Sequence, residues 1–154
     1  MAKLIIDEDH TVTHFMVRHM MINDVHGQFN KVSGFIIFDS SDIANTSVEI
    51  KIEAASIFTG VEPRDIHLRS PDFFDVESYP QILFKSTKSE VAGNNLFKVF
   101  GDLTLHGVTW PILLHAEYFG PTYFTDETGS YTTMGFTVGK HIDLILNAEA
   151  DLEK

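Results

Sequence analysis

The chain has 154 residues, 44% of them hydrophobic, which fits one domain built around one core. Twenty-two Asp and Glu against 11 Lys and Arg leave a formal charge of −11 with histidines neutral, so nucleic acid is excluded as an expected partner and anionic leaflets are repelled. The absence of cysteine removes thiol catalysis, disulfides and thiolate metal sites, while 13 phenylalanines against one tryptophan and four tyrosines concentrate purely apolar aromatic surface.

The N-terminus, MAKLIIDEDHTV, places acids directly after the short apolar run Leu4-Ile5-Ile6 and lacks the h-region of a secretory signal. The expected compartment is therefore the cytoplasm, or the periplasm if a leader has been removed. No apolar run approaches the roughly 20 residues that span a bilayer, so no transmembrane segment is expected. The first predicted strand covers 12–21 and includes THFMVRHMM, in which Phe15, Val17 and His19 share one face and His14, Met16, Arg18 and Met20 the other. A second follows at 34–39. In TSVEIKIEA, residues 46–54, Val48, Ile50 and Ile52 alternate with Glu49, Lys51 and Glu53, the clearest strand pattern in the chain. One short helix is predicted at 63–70, with Pro63 in its first turn and Pro71 stopping it. Further strands are predicted at 81–87, 96–105, 111–119 and 133–138. Turn chemistry separates them at Ala92-Gly93-Asn94-Asn95 and at Leu105-His106-Gly107-Val108-Thr109, and a polar loop, GPTYFTDETGSYT, covers 120–132. The acidic tail at 141–154 is read as a second helix or a ragged strand. Seven or eight short antiparallel strands without a βαβ rhythm predict an all-β sandwich or closed barrel, and about eight strands make a barrel just wide enough to hold a ligand.

Eight histidines invite a metal site, but no His-x-His, HExxH or carboxylate-histidine cluster stands at ligand spacing, and no metal is expected. No GxSxG elbow or phosphate loop is present, so no catalytic residue is assigned and no cofactor is required. The stretch GVEPRDIHLRSPDFFD, residues 60–75, reads as a helical crossover. Ile66, Leu68, Phe73 and Phe74 would plug one end of a barrel, with Arg64, Asp65, Arg69 and Asp72 in ion pairs. In its functional reading the same stretch is a lid over a ligand.

Four runs, IDEDHTVTHFMVRHMM, VHGQFNKVSGFI, GVEPRDIHLRSPDFFDVESYPQILFKST and VFGDLTLHGVTWPILLHAEYFG, resemble in order the YceI-like family of polyisoprenoid-binding proteins, over about residues 5–138. The resemblance implies an extended, lipocalin-like antiparallel barrel with an apolar tunnel for an isoprenoid chain, such as a polyprenyl lipid or a quinone tail. It also implies a homodimer. His10, Phe15, Val17 and His19 fall on the family's first-strand positions, and Gly27 and Phe29 on its Gly-x-Phe element. Arg64, Asp65, His67, Leu68, Phe73, Phe74 and Asp75 match the crossover; Gly101, Leu103, Gly107 and Thr109 match the late hairpin. At the C-terminal end, VGKHIDLILNAEA departs from the family's Asn-Arg-x-Asp-Phe-Gly run.

Alternation and resemblance together nominate Phe15, Val17, His19, Phe29, Val48, Ile50, Ile52, Phe73, Phe84, Phe97, Val99 and Leu103 as the ligand lining. The expected function is binding of an isoprenoid or similar fatty amphiphile for storage, transport or quinone handling. An enzyme acting on such a lipid and an interaction module with a filled barrel are the alternatives.

Overall fold

The computed structural model describes residues 1–19, 23–123, 130–138 and 142–153; side chains are described within these ranges except at 17–19, 23–24, 119–123, 130–138, 142–145, 147 and 149. Among the described residues, eleven antiparallel strands and one α-helix follow the chain: β1 Ala2–Ile6, β2 Val12–His19, β3 Asn23–Phe29, β4 Val32–Phe38, β5 Ser47–Glu53, β6 Ile57–Phe58, α1 Glu62–Arg69, β7 Gln81–Gly93, β8 Leu96–Leu105, β9 Val108–Tyr123, β10 Ser130–Val138 and β11 Ile142–Leu152. The expected all-β class and short helical crossover are both present.

The strands form one sheet in the order β1-β4-β5-β7-β8-β9-β10-β11-β2-β3-β6, and β1 pairs with β11 as well as with β4. Three pairs of consecutive strands behave as bent ribbons. β11 meets β2 through Ile142↔Val17 to Asn147↔Val12 and then meets β1 through Ala150↔Ile6 to Leu152↔Leu4. β3 and β4 follow the same bend against β2 and β1, and β6 and β5 follow it against β3 and β4.

Alternation explains the burial. On β5, Val48, Ile50 and Ile52 are buried while Glu49, Lys51 and Glu53 face outward, where Glu49 sits opposite Lys85 and Lys85 opposite Asp102, charges of opposite sign across neighbouring strands. The same rule buries Leu4 and Ile6 on β1, Val32 and Ile36 on β4, Leu114 and Ala116 on β9, and Leu146, Ala148 and Ala150 on β11. Gly34 interrupts the β4 row at φ +148, where a Cβ would stand 2.1 Å from the Glu49 carbonyl oxygen, so only glycine lets β4 and β5 approach this closely.

The acidic tail resolves in favour of a strand: β11 spans Ile142–Leu152, its divergent sequence still supplying inward Leu146, Ala148 and Ala150. The short apolar run Leu4-Ile5-Ile6 belongs to a strand, β1. The residues 124–129 and 139–141 of the predicted polar loop and of the departing C-terminal run lie outside the described residues.

Beyond β4 the chain turns through Asp39. Its carboxylate accepts from the Ser41 hydroxyl at 2.6 Å, the Ser41 N–H at 3.0 Å and the Asp42 N–H at 3.2 Å, and it faces the Asn45 amide. The Ser41 hydroxyl and N–H bonds stabilise the charged form and hold its pKa down at about 2. A carboxylate depressed in the folded state stabilises the fold above the unfolded value of 3.8 and loses that contribution as pH falls through about 2. Asp39→Asn is expected to flatten the acid limb of a Tm-against-pH curve between these values; a limb identical to wild type would show that this turn does not set acid stability.

Candidate ligand-binding interior

The residues that face inward make an apolar interior with an aromatic group toward each end. At the α1 end, Phe15 on β2 meets Phe29 on β3 with ring centroids 5.5 Å apart, and Phe29 meets Phe74 edge-on at 5.7 Å. Gly27 lies directly across from Phe15, and a Cβ there would come within 2.2 Å of the Phe15 ring. The Gly-x-Phe element thus has a packing reason: Gly27 gives up its side chain so that the Phe15 ring can lie over β3, and Phe29 then packs against it at a tilt. At the opposite end, Phe38 packs edge-on to Phe97 at 6.5 Å and stacks on Tyr118 at 5.8 Å. Phe29 and Phe38 are nine residues apart in sequence, so the two groups are separated by at most about 30 Å of strand. Between them lie Val32, Ile36, Val48, Ile50, Ile52, Ile82, Phe84, Val99 and Leu114, all buried.

A cavity of about 20 Å³ sits at the Phe38 end, lined by Ile36, Phe38, Ile43, Thr46, Val48, Ser89, Phe97, Val99 and Ala116. It is of the order of one water. A chain entering this cavity would have to displace lining side chains such as Phe38 and Phe97.

Of the nominated lining, Phe29, Val48, Ile50, Ile52, Phe84 and Val99 are buried in the core, and Phe15, Phe97 and Leu103 pack against it partly buried. Phe73 does not join them. It is 51% exposed and stands edge-on to His67 at 4.9 Å, because the turn after α1 directs its neighbour Phe74 inward instead. The Phe74 N–H is held by the Leu68 carbonyl at 2.9 Å, which fixes this choice. The side chains of Val17 and His19, and of Arg18, lie outside the described residues.

The crossover also corrects its expected ion pairs. Arg64 donates to the Thr59 hydroxyl at 2.8 Å and the Thr59 carbonyl at 2.9 Å, and Arg69 donates to the Ala55 and Ile57 carbonyls at 3.0 and 3.1 Å. The guanidinium forks satisfy carbonyls before, within and after the short β6, which pairs with β3 through only two residues. Asp65 is buried and accepts from the Thr59 N–H at 3.0 and 3.1 Å and from its hydroxyl, while Asp72 pairs with His67 at 3.0 Å. Of the expected apolar plug, Leu68 and Phe74 pack on the core, whereas Ile66 is exposed.

Several residues on the inward rows are not among those nominated from sequence. Trp110 lies on the inward row Phe84↔Leu103↔Trp110 and is 48% exposed where the β8–β9 hairpin ends, beside Val108 and Leu105. Tyr118 continues the β9 row Ile112, Leu114, Ala116, a period-two signal that lies inside the predicted strand at 111–119. Thr13 is fully buried between Phe29 and Leu146, and no sequence signal marks a threonine in that position as unusual. Among the described residues no group of three or more His, Asp or Glu side chains is placed to hold a metal, and His10 instead bonds Asp7 at 2.7 Å.

Residues 4–150 match the YceI-like domain family model. The chain belongs to the YceI-like family. A UPF0312 protein of Vibrio parahaemolyticus is 41% identical over 111 residues, 72% of this chain and 59% of that relative, so the match spans less than two thirds of the relative's length. Among solved structures, BcnA of Burkholderia cenocepacia superposes with a TM-score of 0.77 at 20% identity, covering 97% of this chain and 99% of BcnA. A polyisoprenoid binding domain from Saccharophagus degradans superposes with a TM-score of 0.68 at 13% identity, covering 99% and 100% of the two chains. At these identities the two structures speak to the fold. The YceI-like fold thus carries, in this chain, the apolar interior and the two aromatic groups described above. No helix among the described residues is long and apolar enough to cross a membrane.

Proposed function

We propose that this YceI-like chain binds a long isoprenoid, or a similar fatty amphiphile such as a polyprenyl lipid or a quinone tail, along its apolar interior. The observation that carries the reading is the continuous inward row of Val, Ile, Leu and Phe on successive strands, bounded by the Phe15-Phe29-Phe74 and Phe38-Phe97-Tyr118 groups. The circuit of strand pairs from β1 through β4, β5, β7, β8, β9, β10 and β11 back to β1 supports an eight-ribbon, lipocalin-like barrel as the container. Family membership supports the ligand class, as does the likeness to a polyisoprenoid binding domain.

The lining in this reading is Phe15, Phe29, Val48, Ile50, Ile52, Phe84, Phe97, Val99 and Leu103, with Phe74 in place of Phe73; Val17 and His19 continue the Phe15 face toward the end of β2. A ligand burying several hundred Å² of apolar surface gains on the order of 10 kcal/mol before ordering costs, which suffices for micromolar binding. The role is that of a carrier, buffer or quinone-handling protein that releases its cargo unchanged, working as a homodimer. Extraction of the purified protein with organic solvent followed by mass spectrometry is expected to return one chain lipid in near-stoichiometric amount. Extracts with no stoichiometric lipid, from protein that also fails to take up added polyprenol or quinone, would overturn the reading in favour of a filled interaction module.

A further inference from the structure

Thr13, like Thr11 two residues before it, is a buried hydroxyl, and its cross-strand neighbours are apolar. Strand register places it between Leu146 on β11 and Phe29 on β3, and Phe29 in turn stands opposite Ile57 on β6. All three neighbours belong to the core, and Thr13 itself is 0% exposed. It shares the inward face of β2 with Phe15, whereas His14 between them faces outward. Among the described residues its Oγ1 is the buried side-chain oxygen with no hydrogen-bond partner. Ser89, another buried hydroxyl, donates to the Thr46 carbonyl at 3.0 Å and so satisfies itself.

A buried hydroxyl without a partner costs of the order of 1–3 kcal/mol, and a valine of nearly the same shape would remove that cost. The partner this oxygen lacks would be supplied by a group that enters the interior and bonds to it. The described residues around it supply no cation: the cross-strand partners are Leu146 and Phe29, and Thr11 and Phe15 flank it along the same face. A phosphate or carboxylate there would be desolvated without a counter-charge, at a cost that exceeds one hydrogen bond several-fold. A neutral carbonyl or alcohol oxygen loses little solvation and accepts the hydroxyl proton.

We infer that Thr13 is a ligand-binding residue whose hydroxyl hydrogen-bonds an uncharged oxygen, ketone or alcohol, of the interior ligand. This rests on the lipid-binding reading and narrows it: the cargo places a neutral oxygen within the apolar interior, and any charged group it carries stays outside. The site then separates oxygenated isoprenoids from hydrocarbons of equal length, a distinction that apolar area alone does not make.

The test uses the full chain, delipidated, with two probes of one carbon skeleton, geranylgeranylacetone and the corresponding hydrocarbon without the ketone. Thr13→Val and Thr13→Ala are expected to weaken ketone binding about tenfold, to shift hydrocarbon binding less than about twofold, and, for valine, to leave the ligand-free Tm equal or raised. Thr13→Ser keeps the hydroxyl and is expected to keep the preference for the ketone. Equal affinity of wild type and both hydroxyl-free variants for the ketone would overturn the inference, as would a parallel loss for both probes. Binding of neither probe by wild type would instead sink the lipid-binding reading itself, so the two failures are told apart. Geranylgeraniol, run alongside, separates an alcohol from a ketone as the preferred oxygen.

Discussion

Gly34→Ala is expected to cost about 3–5 kcal/mol of folding stability, combining strain at a positive φ with overpacking against backbone. Gly34 lies in the middle of β4, opposite Ile50, with φ +148, and the added Cβ would meet the Glu49 carbonyl oxygen at 2.1 Å. A flexible side chain at that spot would swing aside, but a carbonyl in the β5 ladder is fixed by its neighbours. The strands must separate locally, and Val32, Ile36, Val48 and Ile52 on either side then lose their packing. For a domain of ordinary stability this removes a large part of the total. Urea titration followed by far-UV circular dichroism measures it, and a midpoint within error of wild type would show that β4 and β5 do not need this approach.

The second large effect is expected at Phe29. It is 4% exposed and touches Phe15 on one side and Phe74 on the other, so Phe29→Ala removes the middle ring of three and leaves a void that its neighbours cannot close without moving β2 and the crossover together. The expected loss is about 3–5 kcal/mol. Phe73→Ala is the matched control: the same side chain is deleted four residues past α1, but its ring is half exposed and packs on His67, so the expected loss is under about 1 kcal/mol. Equal losses at the two positions would mean that the inward ring had been wrongly assigned between Phe73 and Phe74.

That pair also shows where reading the sequence runs out. The alternation in SVEIKIE is period two over seven residues, and every inward residue it names is buried. The outward charges leave only one register open, which is why β5 was legible in full. In DFF, by contrast, two identical residues are adjacent in an irregular turn. Their directions are set by the Leu68 carbonyl and by the left-handed Asp75 at φ +46, neither of which has a periodic signature. β3 escaped for a related reason. NDVHGQF has poor strand propensity, and it is a strand because β2 lies alongside it and Gly27 yields to the Phe15 ring. The crossover arginines were recognisable as conspicuous cations, but their carbonyl partners in and around β6 belong to the backbone, which carries no letter in the sequence. Thr13 is the extreme case, since a threonine in a strand is ordinary until its neighbours across both ladders are known.

The pairing of β1 with β11 has a consequence in time. Leu4 stands opposite Leu152, so β1 and β11, about 140 residues apart in sequence, share one ladder, and Lys3 adds an ion pair to Glu153 at 2.9 Å. Contacts of such sequence separation form slowly, because nearly the whole loop must be closed before they give any return. During synthesis the earlier strands wait with their apolar faces uncovered until β11 has left the ribosome, the interval in which chaperones and aggregation compete for them. A nascent chain arrested before Ile142 should remain open to protease and capture by chaperones, whereas one held on the ribosome by a flexible linker added after Lys154 should resist both.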